Sequence, residues 1–300
     1  TSADEFYVLE DNCRTPSGVS YMLENREIMM RMFPDLFKVN RVSPIDDYPT
    51  RLLQTFMSLA PPKCENPEPT VVLLTPGPMN SAYYEHSFLS DQMGIEMVQA
   101  EDLFVDGEFL YMKTVSGPKR VDIVYRRIDD NFLDPLSFNP ESLIGVPGIM
   151  NVYRTGGVTI LSAPGSGIAD DKAIYVYVPE MIRFYLGQEP ILDNVETWKC
   201  EDASDLKYVL ENLSKLVVKE VDGSGGYGML IGPKSSKSEI ELFFNKIKSN
   251  PRGYIAQPTL DLSSAPTFIN DQVEGRRVDL RPFCLIGKDA QLCPGGLTRV

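Results

Sequence analysis

Histidine is almost missing from this 300-residue chain, which holds one, His86. A single imidazole leaves little for a Ser-His-Asp triad or a histidine-rich zinc site. It reads instead as a structural or surface histidine. The five cysteines, at positions 13, 64, 200, 284 and 293, form no CxxC pair, so the usual thiolate spacing of zinc and redox motifs is absent. Odd in number and scattered, they read as reduced thiols in a cytoplasmic protein. No run approaches the ~20 apolar residues that cross a bilayer. Residues 1–10 are polar and acidic, unlike a secretory leader; no membrane association is expected. Positive charge is also short, with 29 Lys and Arg against 42 Asp and Glu and a net charge of −13. That balance argues against general nucleic-acid binding. A bound anion would need lysines and arginines placed locally. There is no internal repeat and no low-complexity segment.

What is present suits a globular chain able to bury a substantial core, with 43% hydrophobic and 24% charged residues. The fold expected is α/β plus α+β. Residues 1–65 read as a short strand (6–9) followed by helices over 21–33, closed by Pro34, and 51–59. The proline-rich run 60–69 reads as a linker. Residues 66–166 alternate strand, loop and helix, with apolar strands at 71–74, 94–98, 121–126 and 158–161, a hairpin at 105–113 and helices at 84–93 and 147–154. That order predicts a Rossmann-like parallel layer. Residues 167–300 read as helices over 170–186, 201–213 and 236–248, strands at 216–218, 229–231 and 254–257, a polar loop to 277, and long paired strands over 278–286 and 291–300. The chain starts at Thr1 and stops in what reads as mid-strand, so a piece of a longer protein is expected.

The most telling segment is 217–229, VVKEVDGSGGYGM. Lys219 ends an apolar strand, and Gly223, Ser224, Gly225, Gly226 and Gly228 follow before a second strand. A lysine beside unhindered backbone N–H groups can grip phosphate oxygens. A Walker loop would instead end in Gly-Lys-Ser/Thr and open a helix; here a β-hairpin flap is expected. A hairpin turn without ligand is the competing reading. Lys172, at a loop-to-helix junction, could add a second cation to the same phosphates or be a solvated surface lysine. Glu10 and Asn12 fall on one strand face and offer hard oxygens suited to Mg²⁺, unless they simply mark an exposed strand end. Arg277, Asp279 and Arg281 alternate onto one face, with Arg299 nearby in the last strand. They could fork onto a phosphate or carboxylate, or pair as ions across a solvated sheet. Arg126 and Arg127 end an apolar strand, where an open parallel sheet borders its ligand crevice. The loop 76–81 ends another such strand, and both could equally be solvent-facing turns.

The segments VVKEVDGSGGYGMLIGP, YRRIDDNFLDPL, IADDKAIYVYVPE, YIAQPTL, VDLRPF and PGGLTR together resemble the bacterial circularly permuted ATP-grasp proteins of type 2. These are similar to the synthetase domain of glutathionylspermidine synthase. The resemblance runs over nearly the whole chain. It implies ATP held between two lobes, Mg²⁺, and a Rossmann-like pre-ATP-grasp subdomain at 66–166. It implies Lys219 and Lys172 on the ATP phosphates, residues 223–228 as the phosphate flap and Gln257 at the hinge beside adenine. Glu10 and Asn12 become metal ligands, displaced to the front by the permutation, with a third metal carboxylate expected before Thr1. Arg299 is implied near the transferred phosphate, and Arg281, from the alternating row, is expected to be catalytic beside it. Arg14 and Ser17 are implied on phosphate or substrate, and Arg126 and Arg127, at their strand end, are expected to bind substrate. The implied reaction joins a carboxylate to an amine through an acyl phosphate, giving a peptide-like bond. A catalytically silent ATP-binding scaffold acting with a partner enzyme, and a kinase acting on a small acid, stand as alternatives.

Overall fold

The computed structural model describes residues 1, 5–223 and 228–300. The chain divides into two compact units, each built from separated stretches. One comprises Thr1–Cys13 and Ser166–Asp279 with Val300; the other comprises Arg14–Gly165 and Leu280–Arg299.

The Arg14–Gly165 unit is organised by four parallel strands in the order Glu96–Val98, Val71–Leu74, Ile123–Arg126, Thr159–Leu161. Val71–Leu74 is buried at every position, as expected of a strand covered on both faces. Alternate residues feed two cores. Val72, Leu74, Val124 and Ile160 join Leu110, Val121, Leu133 and Ile149. Leu73, Ile123 and Tyr125 join Val19, Met22, Leu52 and Phe56 from the helices Val19–Met32 and Tyr48–Met57, with Leu285 and Cys293 from the last two strands. The three segments drawn from sequence therefore differ from the two units. The proline run that suggested a linker stays inside one unit, where Lys63 N donates to the Gly156 carbonyl and Arg120 donates to that of Lys63. Pro34 also opens a second short helix, Pro34–Val39, at a position where its missing N–H costs nothing.

The other unit carries an antiparallel sheet in the order Trp198–Lys199, Tyr254–Pro258, Leu216–Glu220, Met229–Ile231. One face packs Leu216, Val218, Tyr254 and Ala256 against Val209 and Phe243 of the helices Ala203–Asn212 and Lys237–Ser249. The second helix starts on a capping box made by Ser236 and Glu239.

Two expectations need correction here. Residues 170–186 are not one helix but short turns, Tyr175–Tyr177, Val178–Met181 and a π-helical turn Ile182–Leu186. Pro179 removes a backbone donor, and the Asp171 carboxylate takes the N–H groups of Ala173 and Ile174. The polar loop before Arg277 is a hairpin, Ser264–Ile269 with Gln272–Arg277, turned by Asn270 and Asp271 at φ 51° and 59°.

Candidate active site

In the antiparallel unit, period-two alternation turns Val217, Lys219, Ile255 and Gln257 to the face opposite the helix-packed core. The register sets Lys219 against Ile255 and Val217 against Gln257, so Lys219 and Gln257 are diagonal neighbours. The Lys219 ammonium donates to Gln257 Oε1 at 2.8 Å. Gln257 Nε2 donates to Thr197 Oγ1 at 3.0 Å, and that hydroxyl donates to the Val195 carbonyl at 2.8 Å. Gln257 is 3% exposed, so this relay fixes its amide. The hairpin expected after Lys219 is present, Leu216–Glu220 paired antiparallel with Met229–Ile231. Of the glycine flap, Gly223 and Gly228 are described; Ser224, Gly225 and Gly226 lie outside the described residues.

Lys172 meets the start of that loop. Its backbone N–H donates to the Val221 carbonyl at 3.1 Å and its ammonium to the Gly223 carbonyl at 2.5 Å. The acceptor is neutral, so the hydrogen bond leaves the lysine charge uncompensated. Lys172, Lys219, Gly223 and Gln257 are thus assembled around one end of one hairpin.

Glu10 and Asn12 are exposed and lie past the end of the strand Tyr7–Val8, which pairs in parallel with Asp193–Asn194. The strand expected to carry them ends at Val8, whose carbonyl accepts from Val195 N and from the Tyr175 hydroxyl. Burial pushes that phenol up to about 12. Burial also raises the Asp11 carboxyl, and the charges of Asp170 and Glu10 add to the shift. Among the described residues no three His, Cys, Asp or Glu groups form a metal cluster. Glu10 and Asn12 fit a hard cation as a partial donor set, in surroundings where negative charge has accumulated. A cation there would complete its shell with phosphate oxygens and water.

The row expected from Arg277, Asp279 and Arg281 is broken. Arg277 ends the hairpin strand and pairs with Asp261. Val278 then donates its N–H to the Ser263 carbonyl, and a new strand begins at Asp279.

In the parallel unit, Arg281 and Arg299 are exposed on the adjacent strands Asp279–Ile286 and Ala290–Arg299. Arg14 pairs with Asp129 at 2.7 Å. Arg126 and Arg127, read from sequence as a pair facing a crevice, are 0% and 4% exposed. Arg126 donates to the carbonyls of Ser162, Ile128 and Ala163 and pairs with Asp130 at 2.8 Å. Burial lowers its pKa, while Asp130 and Asp129 oppose the shift. Arg127 donates to the Pro16 carbonyl, the Ser17 hydroxyl, the Tyr125 hydroxyl and Glu85. Sequence reasoning missed Glu85 and Thr197, because their partners are remote in the chain.

A parallel α/β unit, and an α+β unit with lysines gathered at a glycine hairpin, define the ATP-grasp class. A profile of the family described as circularly permuted ATP-grasp type 2 matches residues 1–300, and the chain belongs to that family. An uncharacterised protein of Synechocystis, sll0335, is 56% identical over 99% of the chain and 62% of its own length. Rv2411c of Mycobacterium tuberculosis, also uncharacterised, is 49% identical over 99% of the chain and 54% of its length. A Frankia alni protein with a provisional glutamate–cysteine ligase name is 39% identical over 98% of the chain and 34% of its length. The chain therefore spans about a third to three-fifths of the length of these relatives. Among solved structures, a glutathione synthetase-like effector from Globodera pallida superposes with a TM-score of 0.55. It covers 92% of this chain and 61% of its own, at 13% identity, and shows the fold alone.

Proposed function

We propose that the full-length protein is an ATP- and Mg²⁺-dependent ligase that activates a carboxylate and joins it to an amine. The observation that carries this reading is the meeting of Lys172, Gly223, Lys219 and Gln257 around one hairpin. The provisional ligase name of the Frankia relative supports the same reaction class.

Attack of a carboxylate on a terminal phosphoryl group needs charge neutralised on the equatorial oxygens rather than a protein nucleophile. Lys172 and Lys219 supply two positive charges, and Gln257 offers an oriented amide beside them. Mg²⁺, held through Glu10 and Asn12, would add charge neutralisation at the phosphates. Arg299 and Arg281 are assigned to the transferred phosphate, and Arg14 and Ser17 to the acid substrate.

The test is calorimetry on the full-length protein with Mg-ATP. Wild type should bind, and Lys219→Ala should weaken binding at least tenfold. Absence of binding, or an unchanged Lys219→Ala, would sink the proposal. Binding without ADP release in any mixture of acids and amines would select the silent scaffold instead. Product mass spectrometry with Mg-ATP and cell extract then identifies what is joined.

A further inference from the structure

The parallel sheet has its topological switch point between Val71–Leu74 and Ile123–Arg126. From the first of these the chain moves outward on one side to Glu96–Val98, then returns to the other side. Ligands of open α/β sheets meet the carboxyl ends of the strands at such a point. Here those ends continue into Thr75 and Arg127, and the Arg127 N–H donates to the Leu74 carbonyl. The side chain of Arg127 turns to neighbouring protein groups. Its Nη1 donates to the Pro16 carbonyl at 2.8 Å and the Tyr125 hydroxyl at 2.9 Å; its Nη2 donates to Ser17 Oγ at 2.6 Å and Glu85 Oε1 at 3.3 Å. Nε is buried without a hydrogen-bond partner.

Glu85 completes the arrangement from the other direction. Its Oε2 accepts from Gly18 N at 2.7 Å, Ser20 N at 3.1 Å and Ser20 Oγ at 2.8 Å. It thus takes the place of a side-chain cap at the start of helix Val19–Met32, whose own N-cap, Gly18, offers none. The Glu85 and Arg127 side chains are each 1% exposed. Five of these bonds end on residues 16–20, in the strap 14–20 that carries Arg14 and Ser17, and Arg14 is tied in turn to Asp129.

We infer that Glu85 and Arg127 are positioning residues for the acid substrate. Their buried ion pair latches the strap so that Arg14 and the Ser17 hydroxyl are held at the carboxyl edge of the parallel sheet. This rests on the ligase reading only in naming the acid as the group met there. It also moves Arg127 from substrate contact to support, since both of its terminal nitrogens are engaged by the strap, Tyr125 and Glu85.

Removing one partner strands the other's charge, whereas replacing a buried pair by apolar residues of similar volume can preserve stability. The informative variant of the full-length protein is therefore the double Glu85→Leu/Arg127→Met. Two readouts are taken: amide exchange by mass spectrometry over residues 14–22, and ADP release titrated separately with ATP and with the low-molecular-mass fraction of cell extract. The double variant should exchange at least tenfold faster in the strap, with residues 71–74 and 123–126 unchanged. It should need at least tenfold more extract fraction for half-saturation, with ATP half-saturation and maximal rate within about twofold. Wild-type behaviour in both readouts overturns the latch. So does acceleration spread over the whole parallel sheet, which marks a core defect. If the double variant fails to fold, Tyr125→Phe removes one Arg127 bond and should speed strap exchange about threefold; unchanged exchange overturns the latch in that case. A wild-type protein that releases no ADP defeats the ligase reading instead, and the exchange measurement still decides the latch.

Discussion

Single residues here owe their roles to partners at very different sequence distances. Lys219 stood out in the sequence because it ends an apolar strand before a glycine turn, whereas Lys172 and Gln257 were singled out through the family resemblance. Glu85 was not, because its carboxylate answers N–H groups more than sixty residues away. Gly18 shows how tightly that neighbourhood is built. Its φ of 115° lies in the left-handed region, and an added Cβ would stand 3.1 Å from Leu297 Cδ2. Gly18→Ala should cost about 1–3 kcal/mol, read as a lower urea midpoint with the slope unchanged. His86 makes a second prediction. Burial, with the charge of Arg127 adding, holds its pKa at about 4, below the ordinary 6.5, so the folded state prefers the neutral ring. Its contribution to stability is full above pH 6.5 and is lost as pH falls toward 4, by up to about 3 kcal/mol. Unfolding free energies from urea titrations at pH 7 and 4.5 should therefore separate further for wild type than for His86→Gln, by about 2 kcal/mol.

At the scale of elements, the parallel strands were readable because they are short, continuous apolar runs. The hairpin Ser264–Ile269 with Gln272–Arg277 was not, because its strands are largely exposed and carry no apolar face. The available signal was the pair Asn270-Asp271, both of which tolerate positive φ. Asp271→Gly would install the preferred residue at the second turn position and should stabilise the hairpin by about 0.5–1 kcal/mol. Amide exchange over residues 264–277 should slow accordingly, while the sheet containing Leu216–Glu220 stays as it was. The turns at 166–186 teach the opposite lesson. Their apolar spacing mimics a helix, but Pro179 and the Asp171 carboxylate redirect the backbone donors, and Lys172 is held on Val221 and Gly223 instead.

For the whole molecule, composition predicted a globular α/β and α+β chain, and the family resemblance was carried by segments spread from end to end. The grouping of distant stretches into two units was not legible, because prolines mark turns without saying which pieces share a core. The net charge of −13 belongs to this scale too. Self-repulsion of exposed carboxylates is screened by salt, so the melting temperature should rise between 0.05 and 0.5 M NaCl; a fall would show that attractive ion pairs dominate. The parallel pairing of Tyr7–Val8 with Asp193–Asn194 has a consequence in time. On the ribosome the first strand emerges well before its partner, while the intervening stretch can already assemble the four-stranded parallel sheet. Closing that long loop is therefore a late event. The segment bearing Glu10 and Asn12 takes its final place only after Asp193 and Asn194 have been made.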